Sequence, residues 1–315
     1  MIFSFIRYTQ PAWKFNLIPN AAKFSACLYH PEILPLPNNI FIEIDEQYET
    51  EAAKNGDIAY RAFNKGCLVE GTKMQADKIA DLGKPSLKDE YTFIRKYWGK
   101  TWAVYAFVRR LLAFKNPIKE FSAYFNTNSV AKFPVYENAF QYNNYHNYKS
   151  ELLLKQPLVS VIIPTLNRYA YLIDVMLDLE KQNYKNFDVI VVDQSTPFNA
   201  NFYKQFNLNL NVIQQEEKLL WTARNRAIRE SQANYFLFFD DDSRVDADWI
   251  EHHLKTIDFF KADISAGVSL AIIGGKIPLS YSYFRWADQF DSGNALVKRE
   301  VFNKIGLFDL QFNKQ

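Results

Sequence analysis

From residue 158 onward, the apolar positions of the chain alternate between two textures. LVSVIIP (158–164) and FDVIVVD (187–193) are short, nearly continuous apolar runs, the pattern of strands buried on both faces. Between them, RYAYLIDVMLDLEKQ (168–182) spaces its apolar residues as an amphipathic helix does. LNVIQ (210–214) predicts a further short strand, WTARNRAIRES (221–231) a helix, and YFLFF (235–239) another buried strand. In DADWIEHHLKTIDFF (246–260), Trp249, Ile250, Leu254, Ile257 and Phe260 share one helical face, with Asp246 placed as the N-cap. Such alternation predicts an α/β fold, a mostly parallel sheet with helices on both faces.

Upstream the texture changes. The segment FNTNSVAKFPVYENAFQYNNYHNYKS (125–150) is crowded with Asn and Tyr and holds no sustained period, which predicts a linker or an irregular surface wrap. The expected organisation is an accessory region over 1–124, largely helical or irregular, a linker over 125–157, and an α/β domain over 158–315.

Composition narrows the function classes. A hydrophobic content of 48% in 315 residues supports a sizeable core, and 37 basic against 35 acidic residues leave too little net charge to argue for nucleic acid as a partner. Cys27 and Cys67 form no CxxC, which argues against a zinc site or a disulfide framework and fits a reducing compartment. The start, MIFSFIRYTQPAWK, lacks the basic opening and long apolar core of a signal peptide. ISAGVSLAIIGG (264–275) is shorter than the ~20 residues needed to span a bilayer. The expectation is a cytoplasmic protein. One stretch keeps two readings open: Tyr91 to Lys119 contains seven basic residues, eight aromatics and no acid. It suits either a peripheral contact with anionic lipid at a membrane or a helix packed on the protein with solvated cations.

Candidate chemistry centres on YFLFFDDDSR, where an apolar strand runs into Asp240, Asp241 and Asp242. Three adjacent carboxylates are either solvated or capping groups at a turn, or ligands of a divalent cation that cancels their repulsion. Ligands of parallel sheets bind beyond the carboxyl ends of the strands. Pro164 and Thr165, Asp193, and the three acids all fall at such ends, and this convergence favours the cation.

These residues resemble the family 2 glycosyltransferases of the GT-A fold. The similarity runs over about 158–312 through VSVIIPTLNR, VIVVDQST, ARN (223–225), YFLFFDDDS and SGNALVKREVFNKIGLFD, in order and at matching spacing. The resemblance implies that Pro164, Thr165, Asn167, Arg168 and Asp193 hold the nucleoside of a nucleotide sugar, most simply a UDP-sugar. It implies that Arg224 approaches the nucleotide, with Asp241 beside it or facing away towards solvent. Asp240 and Asp242 match the DxD motif that binds Mg2+ or Mn2+ at the diphosphate, the first acid also lying near the ribose. Ser292, Gly293 and Asn294 correspond to the segment lining donor sugar and acceptor, and Phe308-Asp309 to an architectural pair. The implied activity is inverting sugar transfer to a glycan or lipid-linked acceptor in polysaccharide or glycolipid synthesis. Leu219 stands where the family often has glycine, so Lys218 and Trp221 are not carried over as contacts.

The general base of the family is an Asp in a Glu-Asp pair downstream of the FD segment, which falls beyond Gln315. The catalytic residue is therefore unassigned, Asp288 or Asp291 being the substitutes in sequence, and the chain is expected to be C-terminally truncated. A nucleotide-sugar-binding protein or enzyme fragment without its base is the alternative function. GDIAYRAFNKG (56–66) loosely resembles the segment after that acid, with Asn55 in the acid's place. His252 and His253, adjacent on a helix, are expected at the surface or partly packed. A nucleotidyltransferase would require a Gly-rich basic phosphate loop after its first strand, which PTLNRYAYL is not.

Overall fold

The computed structural model describes residues 3–9, 23–24, 42–68, 71–72, 83–271, 274–287 and 290–312. Cys27, Asp288 and Gln315 lie outside them. The chain divides into two compact units, Met1–Gln141 with Lys276–Asp288, and Tyr142–Gly275 with Gln289–Gln315. Among the described residues no helix is long and apolar enough to cross a membrane.

In the first unit, strands β1 (Lys23–Phe24) and β2 (Gly71–Thr72) pair antiparallel. Among the described residues of this unit the α-helices are α1 (Glu51–Asn64), α2 (Leu87–Trp98), α3 (Lys100–Leu112) and α4 (Pro117–Asn126). Ser86 and Asp89 form a capping box at the start of α2, and Pro117 stands in the first turn of α4 behind an Asn116 cap. Helix α2 is the interior helix. Tyr91, Phe93, Ile94 and Tyr97 are all buried, and Phe93 stacks on Phe3 at 3.8 Å between ring centres.

The unit also buries charge. Asp57 of α1 accepts from Lys96 Nζ at 2.9 and 3.0 Å, from Tyr48 at 2.9 Å and from Tyr97 at 2.6 Å, and pairs with Arg61 Nε at 2.8 Å. Hydrogen bonds from Lys96, Tyr48 and Tyr97 together with the Arg61 guanidinium compensate this carboxylate, the condition for burying a charge without a large penalty. Asn55 bonds back to Glu51 O of its own helix, as a helix-surface residue does.

Residues 127–150 carry no helix or strand. Tyr145 is nevertheless buried, its hydroxyl 3.0 Å from Thr256 Oγ1.

The second unit contains α5 (Glu151–Lys155), β3 (Val159–Thr165), α6 (Tyr169–Glu180), β4 (Phe187–Asp193), α7 (Ala200–Tyr203), β5 (Leu210–Gln214), α8 (Leu220–Glu230), β6 (Tyr235–Phe239), α9 (Trp249–Phe260), β7 (Ile264–Ala266), β8 (Asn294–Lys298) and α10 (Arg299–Ile305). The six strands lie in the order β5-β4-β3-β6-β8-β7. The first four are parallel, and β8 runs antiparallel to both β6 and β7. Alternate residues feed opposite faces: Val159, Val161 and Ile163 pack with α6 and α9, while Ile162, Ile190 and Phe238 pack with α8. This is the mostly parallel sheet with helices on both faces.

Helix α9 starts later than its sequence suggests, with Asp248 rather than Asp246 at the cap position. The Asp246 carbonyl accepts from Trp249 N at 3.2 Å and from Gln182 Nε2 at 2.8 Å, holding the preceding turn outside the helix.

Candidate functional site

Parallel register brings the strand ends together. Thr165 pairs with Asp193 across β3 and β4, and β6, on the other side of β3, ends at Phe239, immediately before the three acids. At this edge Pro164, Thr165, Arg168, Gln194, Lys218 and Asp240 to Asp242 line an open cleft of about 460 Å3.

The acids have different surroundings. Asp240 accepts from Arg224 Nη2 at 3.1 Å through Oδ1. Asp241, expected to lie beside the nucleotide or face solvent, is buried: Thr165 Oγ1 donates to it at 2.7 Å and Arg168 Nη1 at 3.1 Å. A side chain with both oxygens engaged by the β3 loop acts as a strut. Asp242 accepts from Arg168 Nη2 at 2.6 Å, and both side chains are substantially exposed, at 39% and 44%.

Burial pushes the Asp240 carboxyl up from its ordinary value. Arg224 pulls it back, and the like charges of Asp242 and Asp291 push it up further. Burial also raises Asp241, against the Thr165 hydrogen bond and the attraction of Arg168. The Arg168 guanidinium is itself raised, first by Asp241. Four carboxylates thus share the edge with two paired guanidiniums, Arg168 and Arg224.

Arg224 is buried at 1% exposure and also donates to Ser292 Oγ and Ser292 O, both at 2.9 Å. Its neighbour Asn225 grips the backbone of Phe308, giving Nδ2 to the carbonyl at 2.8 Å and accepting the amide at 2.9 Å. The FD segment is therefore fastened to the helix that carries Arg224. Gly293 lies so close to Asp240 that an added Cβ would stand 2.1 Å from Oδ2, so any other residue there would displace the Asp240 carboxylate.

The resemblance gave several residues roles that their surroundings modify. Asp193 is wholly buried. Its Oδ2 accepts from Tyr169 at 2.6 Å and Tyr203 at 2.7 Å, and its Oδ1 from Ser195 N at 2.8 Å. It stands behind the cleft wall. Asn167, at a positive φ of 57°, accepts from Thr196 N at 2.9 Å and gives its amide to Ser195 Oγ at 2.8 Å, tying the β3 loop to the β4 loop.

Asn294 Oδ1 accepts from Trp249 Nε1 at 2.9 Å and lies 3.0 Å from His253 Nε2, so this side chain is committed to α9. His253, expected near the surface, is buried, and desolvation lowers its pKa to about 4; His252 is exposed. Asp291, a substitute base in sequence, accepts from Gly293 N at 3.0 Å in its own loop and from Ser269 Oγ at 2.9 Å in the segment after β7.

Sequence reasoning missed Gln194, Tyr169 and Tyr203. Gln194 Oε1 accepts from Leu219 N at 2.6 Å and fixes the turn into α8. The tyrosines carry no motif, and only the buried acid's need for donors points to them. Lys218 was left unassigned by the departure at Leu219, yet it lines the cleft.

The donor chemistry fits a hard cation. Among the described residues Asp240 and Asp242 each keep one carboxylate oxygen without a hydrogen bond, and such oxygens suit Mg2+ or Mn2+ shared with phosphates. No three His, Cys, Asp or Glu side chains among the described residues are gathered to hold an ion by themselves.

The fold and edge define an α/β domain with an acidic cleft at the carboxyl ends of its parallel strands. Residues 160–312, just under half of the chain, match the model of Glycosyl transferase family 2. Among curated relatives, glycosyltransferase GlyA of Streptococcus pneumoniae is 32% identical over 119 residues, 36% of this chain and 17% of the relative. Glycosyltransferase AglE of Haloferax volcanii is 27% identical over 166 residues, 48% of this chain and 52% of the relative. The chain thus spans about half or less of these two relatives. Among solved structures, the mannosyltransferase PcManGT of Pyrobaculum calidifontis, in complex with GDP-Man and Mn2+, is 19% identical at a TM-score of 0.44, covering 53% of this chain and 52% of that one. TarS 1-349 of S. aureus is 21% identical at a TM-score of 0.42, covering 50% and 51%.

Proposed function

We propose that the second unit takes a nucleoside diphosphate sugar, most simply a UDP-sugar, and passes its sugar with inversion to a hydroxyl of a glycan or lipid-linked acceptor in polysaccharide or glycolipid synthesis. The observation that carries this reading is the meeting of Asp240, Asp242, Arg168 and Arg224 at one sheet edge, in the domain matched to family 2. The nucleoside lies against Pro164 and Thr165, with Asn167 and Asp193 setting the two loops that form the wall. Lys218 offers positive charge from the opposite lip. Ser292 and Gly293 keep Arg224 and Asp240 at their spacing beneath the donor sugar.

Transfer leaves negative charge on the departing diphosphate. Asp240 and Asp242 are the residues that would hold Mg2+ or Mn2+, which when bound would supply Lewis-acid stabilisation of that charge. Arg168, now paired with Asp242, would be the group to give up that carboxylate to a bound cation. A protein that performs this work beside a lipid-linked acceptor works at the cytoplasmic face of a membrane.

A second reading, nucleotide-sugar binding without turnover, is favoured by Asp291. Its carboxylate is engaged by Gly293 and Ser269, while inverting transfer needs a general base free to reach the acceptor hydroxyl.

Calorimetry with UDP and GDP, in Mn2+ and in EDTA, tests the donor site. Binding that needs the metal, and that loses this need in Asp242→Asn, is the expected result; equal affinity in Mn2+ and EDTA refutes the reading. Released UDP measured with a UDP-sugar and a glycan acceptor then separates transfer from binding alone.

A further inference from the structure

The hairpin formed by α3 and α4 carries an apolar crest. On α3, Ala103 and Ala106 face inward, while Trp102, Val104, Tyr105, Val108 and Leu112 are exposed. On α4, Ala123 and Tyr124 are buried, and Ile118, Phe121 and Phe125 point outward. Phe114, in the turn between the helices, is 97% exposed. Contiguous exposure of this kind is rare on a protein that keeps its surface to itself, and it marks a contact face.

The turn shows that this exposure is built in. Lys115 N bonds to Arg110 O and Phe114 N to Leu111 O, the double closure that ends a helix with one left-handed residue. That position favours glycine, yet Phe114 holds it at a φ of 54°. The ring is thus fixed in solvent by a backbone conformation that costs stability.

The exposed charge of residues 100–126 has one sign. Lys100, Arg109, Lys115 and Lys119 are all exposed, and Arg109 lies over the Tyr105 ring at 5.9 Å. The one acid between 100 and 126, Glu120, is buried and bound to Arg110 at 2.6 Å and to Tyr91 at 2.7 Å. Aromatic bodies with cationic rims and no opposing acid complement a layer of apolar chains beneath anionic headgroups.

We propose that the α3–α4 hairpin docks on a membrane containing anionic lipid, inserting Phe114 with Leu112 and Ile118 below the headgroups. Two signals, an apolar tip and a basic rim, are what reversible interfacial binding requires. The inference is independent of the donor site, since none of these residues belongs to it.

Flotation of the 315-residue protein with vesicles of phosphatidylcholine, alone or mixed with phosphatidylglycerol, tests it. The protein should float with the mixed vesicles, and less as salt is raised, because screening weakens the attraction to the headgroups. Phe114→Gly gives the turn its preferred residue, so the melting temperature should hold or rise while vesicle affinity falls roughly tenfold. Lys115→Glu with Lys119→Glu changes only exposed residues and should weaken binding to mixed vesicles by about 25-fold or more, each cation being worth about fivefold. It carries the same test should Phe114→Gly not fold. Equal flotation with both vesicle types, or variants that float as the parent does, would overturn the proposal. So would a parent that ignores vesicles but sediments as an oligomer dispersed by Phe114→Gly, because the crest would then join copies of the chain.

Discussion

In the first unit Asp57 is buried, accepts hydrogen bonds from Lys96, Tyr48 and Tyr97, and is ion-paired with Arg61. In the second, Asp240 and Asp242 are half-exposed, share two guanidiniums with Asp241 and Asp291, and keep unbonded oxygens towards a cleft. The difference separates a carboxylate that holds structure from one kept for a ligand. A complete set of partners ties segments of one unit together, and an incomplete set leaves chemistry for something that arrives later.

The sharpest way to break this contrast is to remove both kinds of acid. Asp57→Ala removes the buried carboxylate shared by Lys96 and Arg61, leaving Lys96 to Asp45 and Arg61 to the Glu43 carbonyl, and should cost about 3 kcal/mol in urea unfolding. A loss below about 1 kcal/mol would show that the buried cluster is not what holds the first unit together.

A smaller effect probes whether the second unit also has a fully committed interior. His253 is neutral when folded, with its pKa lowered from 6.5 to about 4 by burial. The unfolded chain takes up the proton at higher pH than the folded one. Stability from this group is therefore complete above pH 6.5 and declines as pH falls towards 4, by up to about 3 kcal/mol. His253→Gln should flatten this part of the stability–pH curve; an unchanged slope would mean that the ring takes up its proton without unfolding.

The smallest expected change in stability comes from Asp242→Asn. Its ion pair with Arg168 is 39% and 44% exposed, so unfolding should shift by no more than about 1 kcal/mol even though Mn2+ dependence of nucleotide binding is lost. A large destabilisation would place Asp242 with Asp57, among the structural acids.

Continuous apolar runs with an acidic or polar end made β3, β4 and β6 readable, because a strand buried on both faces leaves little room for another pattern. The meeting of Thr165, Asp193 and Asp240 at one edge followed from parallel alternation alone. What could not be read was direction. Asp193 turns inward to Tyr203, ten residues further along, and Asn294 turns to Trp249 and His253, choices made by packing rather than by local spacing. The return of 276–288 to the first unit likewise has no periodic signal, since it depends on distant partners such as Asn64, whose carbonyl accepts from Tyr283 at 2.6 Å.

Helix α8 sets two distances with consecutive residues. Arg224 reaches Asp240 and Ser292, while Asn225 clasps Phe308 through both its amide and its carbonyl. Trp221, one turn earlier, stacks on Phe308 at 4.8 Å. The helix is thus a common ruler for the acidic edge and the FD segment. A tilt that moved Phe308 would change the grip on Asp240 in the same motion, so the geometry of the cleft is calibrated from a segment that does not line it.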